Sequence, residues 1–348
     1  MARGISIVTT VLNDRDGLAE LLPALAAQLR QADEVVIVDA GSSDATDDIL
    51  EYWRGRGLAL RVLEEPGVGI SAGRNRGIAD ARNEWIAITD AGCRPCEGWL
   101  DSLTRELERS DFVAGTYAVD RDTPFEHAVS VSLYPDVAEA RHGVGPLASA
   151  WQRLFGRSFD VDRATGRSMA FTRACWRAVG GFPENVNAGE DVAFSRAAAA
   201  AAARSALAAD ATVAWRGRTS WRANAAMYWS YAEGDAIVGM QPRALARGAA
   251  WAIACALALG GGRRGRIAVA AGAGIYSYLP AARAQRSGLA KRHWWRIPAL
   301  LAMKDVAMLG GSVSGLLARP PGSGRDVDGD STRVRVQSRV LAPANTES

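Results

Sequence analysis

The chain has 348 residues, 48% hydrophobic and 23% charged, with 41 Lys+Arg, 38 Asp+Glu and four Cys. That composition excludes a mainly disordered, collagen-like, wholly membrane-embedded or disulfide-scaffolded protein, and no tandem repeat is evident at solenoid periods. The net charge of +3 hides an asymmetry: residues 1–240 carry 25 basic and 33 acidic side chains, whereas residues 241–319 carry 12 basic ones and a single acid, Asp305. An acidic body joined to a basic, apolar end segment differs from a uniformly basic nucleic-acid binder, and nucleic acid is not an expected partner.

Residues 5–12 and 35–39 are short apolar runs of strand type. The first is too short for a signal-peptide core, so the body is expected in the cytoplasm with reduced thiols. Between them Leu18, Leu21, Leu22, Leu25 and Leu29 recur at helical spacing, with Pro23 expected to bend or shorten the first turns. Gly41-Ser-Ser-Asp-Ala-Thr is a turn in which Ser43 or Asp44 caps the next helix. Residues 58–63 read as a third strand, 71–81 as a helix after a Gly-rich turn, and 85–89 as a fourth strand. This alternation predicts an α/β fold, Rossmann-like, with a mostly parallel sheet flanked by helices and ligands bound beyond the carboxyl ends of the strands. Thr10–Asn13, Asp39 and Asp90 fall at those ends.

Residues 97–109 read as a helix and 112–118 as a strand, whereas 120–164, which mix Pro, His and acids, are expected to be mobile or partner-facing. A strand over 166–172, a short helix over 174–179, an Ala-rich helix over 191–207 and a strand over 212–215 follow. A helix over 225–237 precedes three apolar stretches, 248–262, 267–282 and 297–318. The first two are borderline against the roughly 20 residues of a membrane span, and the third, containing Lys304 and Asp305, is the least expected to span alone. Trp251, Trp294, Trp295, Tyr276 and Tyr278 suit a membrane interface, and Arg263, Arg264 and Arg266 suit anionic headgroups. Residues 320–348 have a disordered composition. Cys93 and Cys96 form a lone Cys-x-x-Cys, short of the four ligands of a structural zinc.

The order of motifs resembles family-2 glycosyltransferases with the GT-A fold, over roughly residues 4–215. The matching strings are Ser6-Ile-Val-Thr-Thr-Val-Leu-Asn13, Val36-Ile-Val-Asp-Ala-Gly-Ser-Ser-Asp44, Gly73-Arg-Asn-Arg-Gly77, Trp85-Ile-Ala-Ile-Thr-Asp-Ala-Gly92 and Gly189-Glu-Asp191. The resemblance implies an inverting transfer of a sugar from a nucleotide-diphosphate sugar to an acceptor hydroxyl. It implies donor-site roles for Asp39, accepting from a uracil-like base beside Thr10 and Leu12, and for Asp90, the first acid of the Asp-x-Asp signature that holds Mg²⁺ or Mn²⁺. Here Gly92 replaces the second acid, so Asp90 is the one remaining metal ligand, and Arg74, Arg76 or Arg94 are alternative sources of the missing charge. Arg74 and Asn75, opening a helix after a Gly-rich turn, suit a diphosphate. Asp191 matches the general base, Glu190 an orienting acid, and Trp176 an acceptor-facing wall, with core packing as the alternative for Trp176.

No clean Gln-x-x-Arg-Trp string of the processive synthases is present. Trp215-Arg-Gly-Arg-Thr-Ser-Trp221 occupies its place, with Arg216 or Arg218 as further diphosphate candidates, which favours a non-processive enzyme. The expected organisation is a GT-A domain over 1–218, a helical, basic, membrane-associated segment over 219–319 and a tail over 320–348. The expected site is the cytoplasmic face of the cell membrane, acting on a lipid-linked or envelope-glycan acceptor. The rival readings are a sugar-phosphate nucleotidyltransferase, which lacks its Gly-rich basic loop here, and a non-catalytic nucleotide-sugar-binding scaffold.

Overall fold

A computed structural model describes residues 3–184, 189–237 and 242–318; the tail over 320–348 lies outside the described residues. The chain opens with strand β1 (Ile5–Val11), helix α1 (Arg15–Ala26), β2 (Glu34–Asp39), α2 (Thr46–Gly55), β3 (Leu60–Glu64), α3 (Ile70–Asp80) and β4 (Trp85–Ile88). These four strands are parallel neighbours in the order β3-β2-β1-β4. All six residues of β2 are buried, as expected for a strand covered by helices on both faces. Leu18, Leu21, Leu22 and Leu25 of α1 are buried beneath it, and Asp14 caps that helix by accepting from the Gly17 amide at 3.1 Å. Pro23 lies within α1. On the other face α3 lies close against the sheet, because a Cβ at Gly77 would stand only 2.6 Å from Val8 Cγ1.

After β4 come β5 (Cys93–Pro95), α4 (Trp99–Leu107), β6 (Phe112–Val119), α5 (Pro124–Leu133), α6 (Val137–His142) and α7 (Pro146–Phe155). Then follow β7 (Met169–Thr172), α8 (Arg173–Val179), α9 (Glu190–Ala201) and β8 (Ser205–Trp215). Strand β7 joins β4 antiparallel, and the sheet continues β7-β6-β8-β5 to eight strands. The mixed half has two consequences for the sequence reading. The Ala-rich helix expected over 191–207 stops at Ala201, since Ser205 onward pairs with β6 from Phe112 to Val119, and the long β8 ladder overrides helix propensity. Residues 120–164 are not a loose region but three helices and a short 3₁₀ turn. Helix α5 starts with a reciprocal cap between Thr123 and Glu126.

The C-terminal part consists of α10 (Trp221–Ile237), α11 (Pro242–Gly260), α12 (Gly262–Arg286) and α13 (Arg296–Ala318). Helices α10 and α13 meet backbone to backbone. A Cβ at Gly311 would fall 2.1 Å from the Trp229 carbonyl oxygen, and one at Gly315 would fall 2.5 Å from that of Glu233. The buried Arg283 of α12 bridges to Glu139 of α6 at 2.6 Å, and Arg286 reaches the same carboxylate at 2.6 Å. Thus α5–α7 are held by the last helices. Among the described residues Lys291–Ala318 is the one stretch long and apolar enough to cross a membrane. Within it Lys304 and Asp305 point inward, with Asp305 ion-paired to Arg247 and hydrogen-bonded to Trp251 and Tyr276.

Candidate active site

Parallel strands β1, β2 and β4 deliver their last residues to one edge of the sheet. Strand β7 runs the other way, with Met169 opposite Ile88, so the residues just before it, Gly166–Ser168, arrive at the same edge. Gly189, at φ +81°, turns the chain into α9, and Glu190 and Asp191 form its first turn there. Between them lies a cleft of about 520 Å³ lined by Arg74, Asp90, Arg167, Glu190, Asp191 and Arg218, and closed by α10 through Met227 and Tyr231.

Arg74 is the internal tie of this cleft. Its guanidinium, 2% exposed, donates to Asp90 Oδ1 at 2.7 Å and to Glu190 Oε1 at 2.8 Å, and lies over the Phe182 ring. Burial opposes its charge, but Asp90, Glu190 and Asp191 more than offset this and hold it above its ordinary pKa. Asp90 and Glu190 take two of its five N–H donors, so Arg74 fastens the end of β4 to the start of α9 while still lining the cleft. Glu190 is buried. Desolvation and the negative charge of Asp191 raise its pKa in spite of Arg74. It is therefore an internal partner of Arg74 on the wall of the cleft.

Two other expectations are corrected by the packing. Asn75 donates to the Phe182 carbonyl at 2.9 Å and to Glu184 at 2.8 Å, and accepts from the Phe182 amide and Trp176 Nε1. With its amide thus engaged, Asn75 shapes the 180–184 turn, and it lies outside the lining of the cleft. Trp176 packs beside Phe171, Phe182 and Phe194 and lines neither of the cavities described here, so core packing displaces the acceptor-wall role.

Asp39, Thr10 and Leu12 lie at the same sheet edge but outside the lining of the 520 Å³ cleft. Asp39 is buried, and its Oδ1 accepts from the amides of Gly41 and Ser42 at 3.0 and 2.8 Å. Its Oδ2 makes no hydrogen bond with a described residue. Asp44 accepts from the Thr46 amide at 3.1 Å at the start of α2. Leu12 is 57% exposed beside Asn13, whose φ of +53° turns the chain over Ser43.

Asp90 has a side chain 35% exposed, with Oδ1 taken by Arg74 and Oδ2 free of described partners. Among the described residues no group of three His, Cys, Asp or Glu is placed to hold a metal. At Gly92, where a second acid is missing, the only neighbour of a hypothetical Cβ is Asp14 Oδ2 at 3.5 Å. These residues fit a cation carried in by a diphosphate and held by one protein carboxylate, as Mg²⁺ commonly is, rather than a preassembled metal cage.

Sequence reasoning passed over Arg167 and gave Arg218 little weight. Arg167 is buried against Trp215, with its guanidinium 4.0 Å from the ring centroid, and donates to the Tyr231 hydroxyl at 3.3 Å. Arg218 is exposed on the cleft wall and forms no ion pair with a described residue, so it is the cleft's available cation. Arg216 pairs instead with Glu20, as does Arg94, which also meets Asp120; Arg76 pairs with Glu65. Asp191 accepts from the Gly166 amide at 3.0 Å through Oδ2 and from its neighbour Val192 at 2.8 Å through Oδ1. It faces a second cavity as well, of about 220 Å³, which shares Arg167, Gly189, Asp191 and Tyr231 with the first.

Comparison with known proteins agrees with this architecture. The profile of glycosyl transferase family 2 matches residues 6–165. The chain is 29% identical over 120 residues to glycosyltransferase GlyG of Streptococcus pneumoniae, covering 34% of this chain and 40% of GlyG. It is 28% identical over 191 residues to the pre-mycofactocin glycosyltransferase of Mycobacterium tuberculosis, covering 55% of this chain and 38% of that protein. The chain spans about half the length of the curated relatives it matches, or less. In fold it is similar to the mannosyltransferase PcManGT from Pyrobaculum calidifontis, solved in complex with GDP-Man and Mn²⁺. The TM-score is 0.60 and the identity 21%, over 89% of this chain and 88% of that one. Residues 6–165 match the glycosyl transferase family 2 profile, and the related sequences and the GT-A-type sheet agree with that match, which leaves the nucleotidyltransferase reading without support.

Proposed function

We propose that the chain transfers one sugar from a nucleotide-diphosphate sugar to an acceptor hydroxyl, with inversion and without processive elongation. The observation that carries this reading is the position of Asp191 on the wall common to two cavities. One cavity, with Asp90 and Arg218, suits a diphosphate, and the other gives an acceptor access to the same carboxylate. In a single displacement the Asp191 carboxylate takes the acceptor hydroxyl proton while that oxygen bonds to the sugar's anomeric carbon. The bond from that carbon to the diphosphate oxygen breaks, and its electron pair leaves with the nucleoside diphosphate. Arg218 compensates charge on the leaving group, and a divalent cation held by Asp90 would supply further neutralisation there. Asp39, with Thr10 and Leu12, is assigned to the base of the nucleotide.

The likeness to PcManGT, whose complex holds GDP-Man and Mn²⁺, supports a nucleotide-sugar donor with a metal ion. A thermal-shift screen of UDP-, GDP- and TDP-sugars with and without Mn²⁺ identifies the donor. Transfer assays on wild type and Asp191→Asn then test the base. The variant is expected to keep nucleotide binding and lose transfer, and persistent turnover in it removes Asp191 from the mechanism. Nucleotide binding without turnover over a broad acceptor panel would favour the scaffold alternative.

We also infer that the protein works at the cytoplasmic face of the cell membrane, on a lipid-linked or envelope-glycan acceptor. Leu147, Leu154, Ile253, Leu257, Leu259 and Ile275 are exposed on α7, α11 and α12. Arg263, Arg264 and Arg266 are exposed near the start of α12. Such an apolar face beside a basic cluster suits anionic bilayer surfaces. Because Lys304 and Asp305 are buried against the rest of the protein, surface binding is favoured over a span by α13. Co-sedimentation with anionic vesicles should fall when Leu257 and Ile275 are changed to Glu; unchanged binding would refute the assignment.

A further inference from the structure

The second cavity has a charge pattern that a neutral sugar does not satisfy. Its cations are Arg157, Arg163, Arg167 and Lys304, against the two acids Asp191 and Asp235. Lys304 is 9% exposed and lines the cavity from α13, with its ammonium 5.4 Å from the centre of the Tyr228 ring. No carboxylate of a described residue forms an ion pair with it, and the adjacent Asp305 is already bonded to Arg247, Trp251 and Tyr276. Arg157 is 3% exposed. It donates to the Ser132 carbonyl and, at 3.1 Å, to the Tyr276 hydroxyl, and its buried Nε has no partner. The buried Nε of Arg167 likewise has none.

Ammonium and guanidinium groups removed from water are costly unless an anion or a set of acceptors compensates them. Burial first, and then the repulsion of Arg157, Arg247 and Arg163, press the pKa of Lys304 well below its ordinary value. Burial likewise lowers that of Arg157. Lys304 and Arg157, lining the chamber without a carboxylate partner among the described residues, suit a negatively charged ligand. Tyrosines 117, 134, 228 and 231 wall the same space and supply faces and hydroxyls suited to a sugar ring.

We propose that this chamber is the acceptor subsite and that the acceptor carries a phosphate group, held by Lys304 with Arg157 and Arg167, while its reactive hydroxyl faces Asp191. The assignment rests on the reading of Asp191 as the base. A phosphate matches both the excess of two positive charges and the combination of a guanidinium fork with a compact ammonium. Two sources present the same chemistry: a lipid phosphate, whose chain would follow the exposed apolar face of α11 and α12, and a soluble sugar phosphate.

The test uses the full chain in detergent micelles. Inorganic phosphate, glucose 1-phosphate and farnesyl phosphate are titrated calorimetrically, with methyl glucoside as neutral control, each in the absence and presence of saturating UDP or GDP. The phosphates are expected to bind with nucleotide present, methyl glucoside not to compete, and Lys304→Met to weaken phosphate binding by about ten- to a hundredfold, the range of a lost charged hydrogen bond. The same variant should melt no lower than wild type, because it removes a buried amine that has no ion-pair partner among the described residues. Met308→Glu, which adds an acid to the chamber one turn away, gives an independent second variant and should weaken phosphate binding as well.

Displacement of phosphate by nucleotide, equal binding by both variants, or equal binding of methyl glucoside would overturn the proposal. Preference for farnesyl phosphate over glucose 1-phosphate identifies a lipid source, and the reverse a soluble one. Nucleotide binding without phosphate binding refutes the chamber alone. Phosphate binding that depends on Lys304, without any nucleotide binding, refutes the donor reading and leaves the chamber standing as an anion site.

Discussion

Removing the guanidinium that joins Asp90 to Glu190 has a calculable outcome. In Arg74→Gln, Glu190 keeps a side chain only 8% exposed, next to Asp191, and loses its one ion-pair partner. Breaking a buried pair in this way costs about 3–5 kcal/mol. The Asp90 arm, with a carboxylate 35% exposed, adds less than about 1 kcal/mol because solvent screens it. That sum is a large share of the roughly 5–15 kcal/mol that holds a typical domain together.

The deficit should depend on pH with a definite sign. The folded pKa of Glu190 is already raised by burial and Asp191, and rises further without Arg74. A carboxyl with a folded pKa above its unfolded one destabilises when ionised, so the deficit is full above the folded pKa and is relieved as pH falls towards the unfolded value. Thermal melts from pH 7.5 to pH 5 should therefore show the gap between Arg74→Gln and wild type narrowing. The double variant Arg74→Gln/Glu190→Gln should recover most of the loss. A deficit below about 1 kcal/mol, one that does not change with pH, or a double variant no better than the single would refute the account of Arg74 as a buried tie.

Three further outcomes follow from other sites. Burial raises the pKa of Asp235 to about 6, so its ionised form costs stability at pH 7.5. Asp235→Asn should raise stability there by up to about 3 kcal/mol, with the gain fading as pH falls through 6 towards 4, measured by urea unfolding. Gly92→Asp meets only Asp14 near its Cβ. It should tighten Mn²⁺ binding by about tenfold when a nucleoside diphosphate is present, read by electron paramagnetic resonance, since it supplies a second oxygen donor. Gly311→Val drives a side chain into the Trp229 backbone and should lower the melting temperature, at a cost of about 1–3 kcal/mol or more.

The parallel half of the sheet was legible because its strands are short apolar runs separated by helices with regular leucine spacing, as in Leu18–Leu25. The same one-dimensional pattern does not reveal direction. The reversed course of β7 brings Arg167 to the ligand edge, and nothing in Gly166-Arg-Ser168 announces that reversal. Arg74 stood out in the sequence, but its role depends on an acid 116 positions later, which local chemistry does not name. Residues 120–164 looked shapeless because their helices rest on α12 and α13, far along the chain. Even so, the string Thr123-Pro-Phe-Glu126 carried a helix-start signal that was readable beforehand. The run of alanines through 203 favoured a continuous helix, and only the pairing of Ser205 opposite Phe112 shows why it ends early.

Lys304 and Met308 belong to the last helix, yet they form a wall of the chamber behind Asp191. A protein trimmed before residue 241 would therefore lose more than its exposed apolar helices: the pocket beside the Asp191 carboxylate would stand open on that side. Efforts to obtain a shorter, water-soluble version should keep α13 and redesign the outward leucines and isoleucines of α7, α11 and α12 instead.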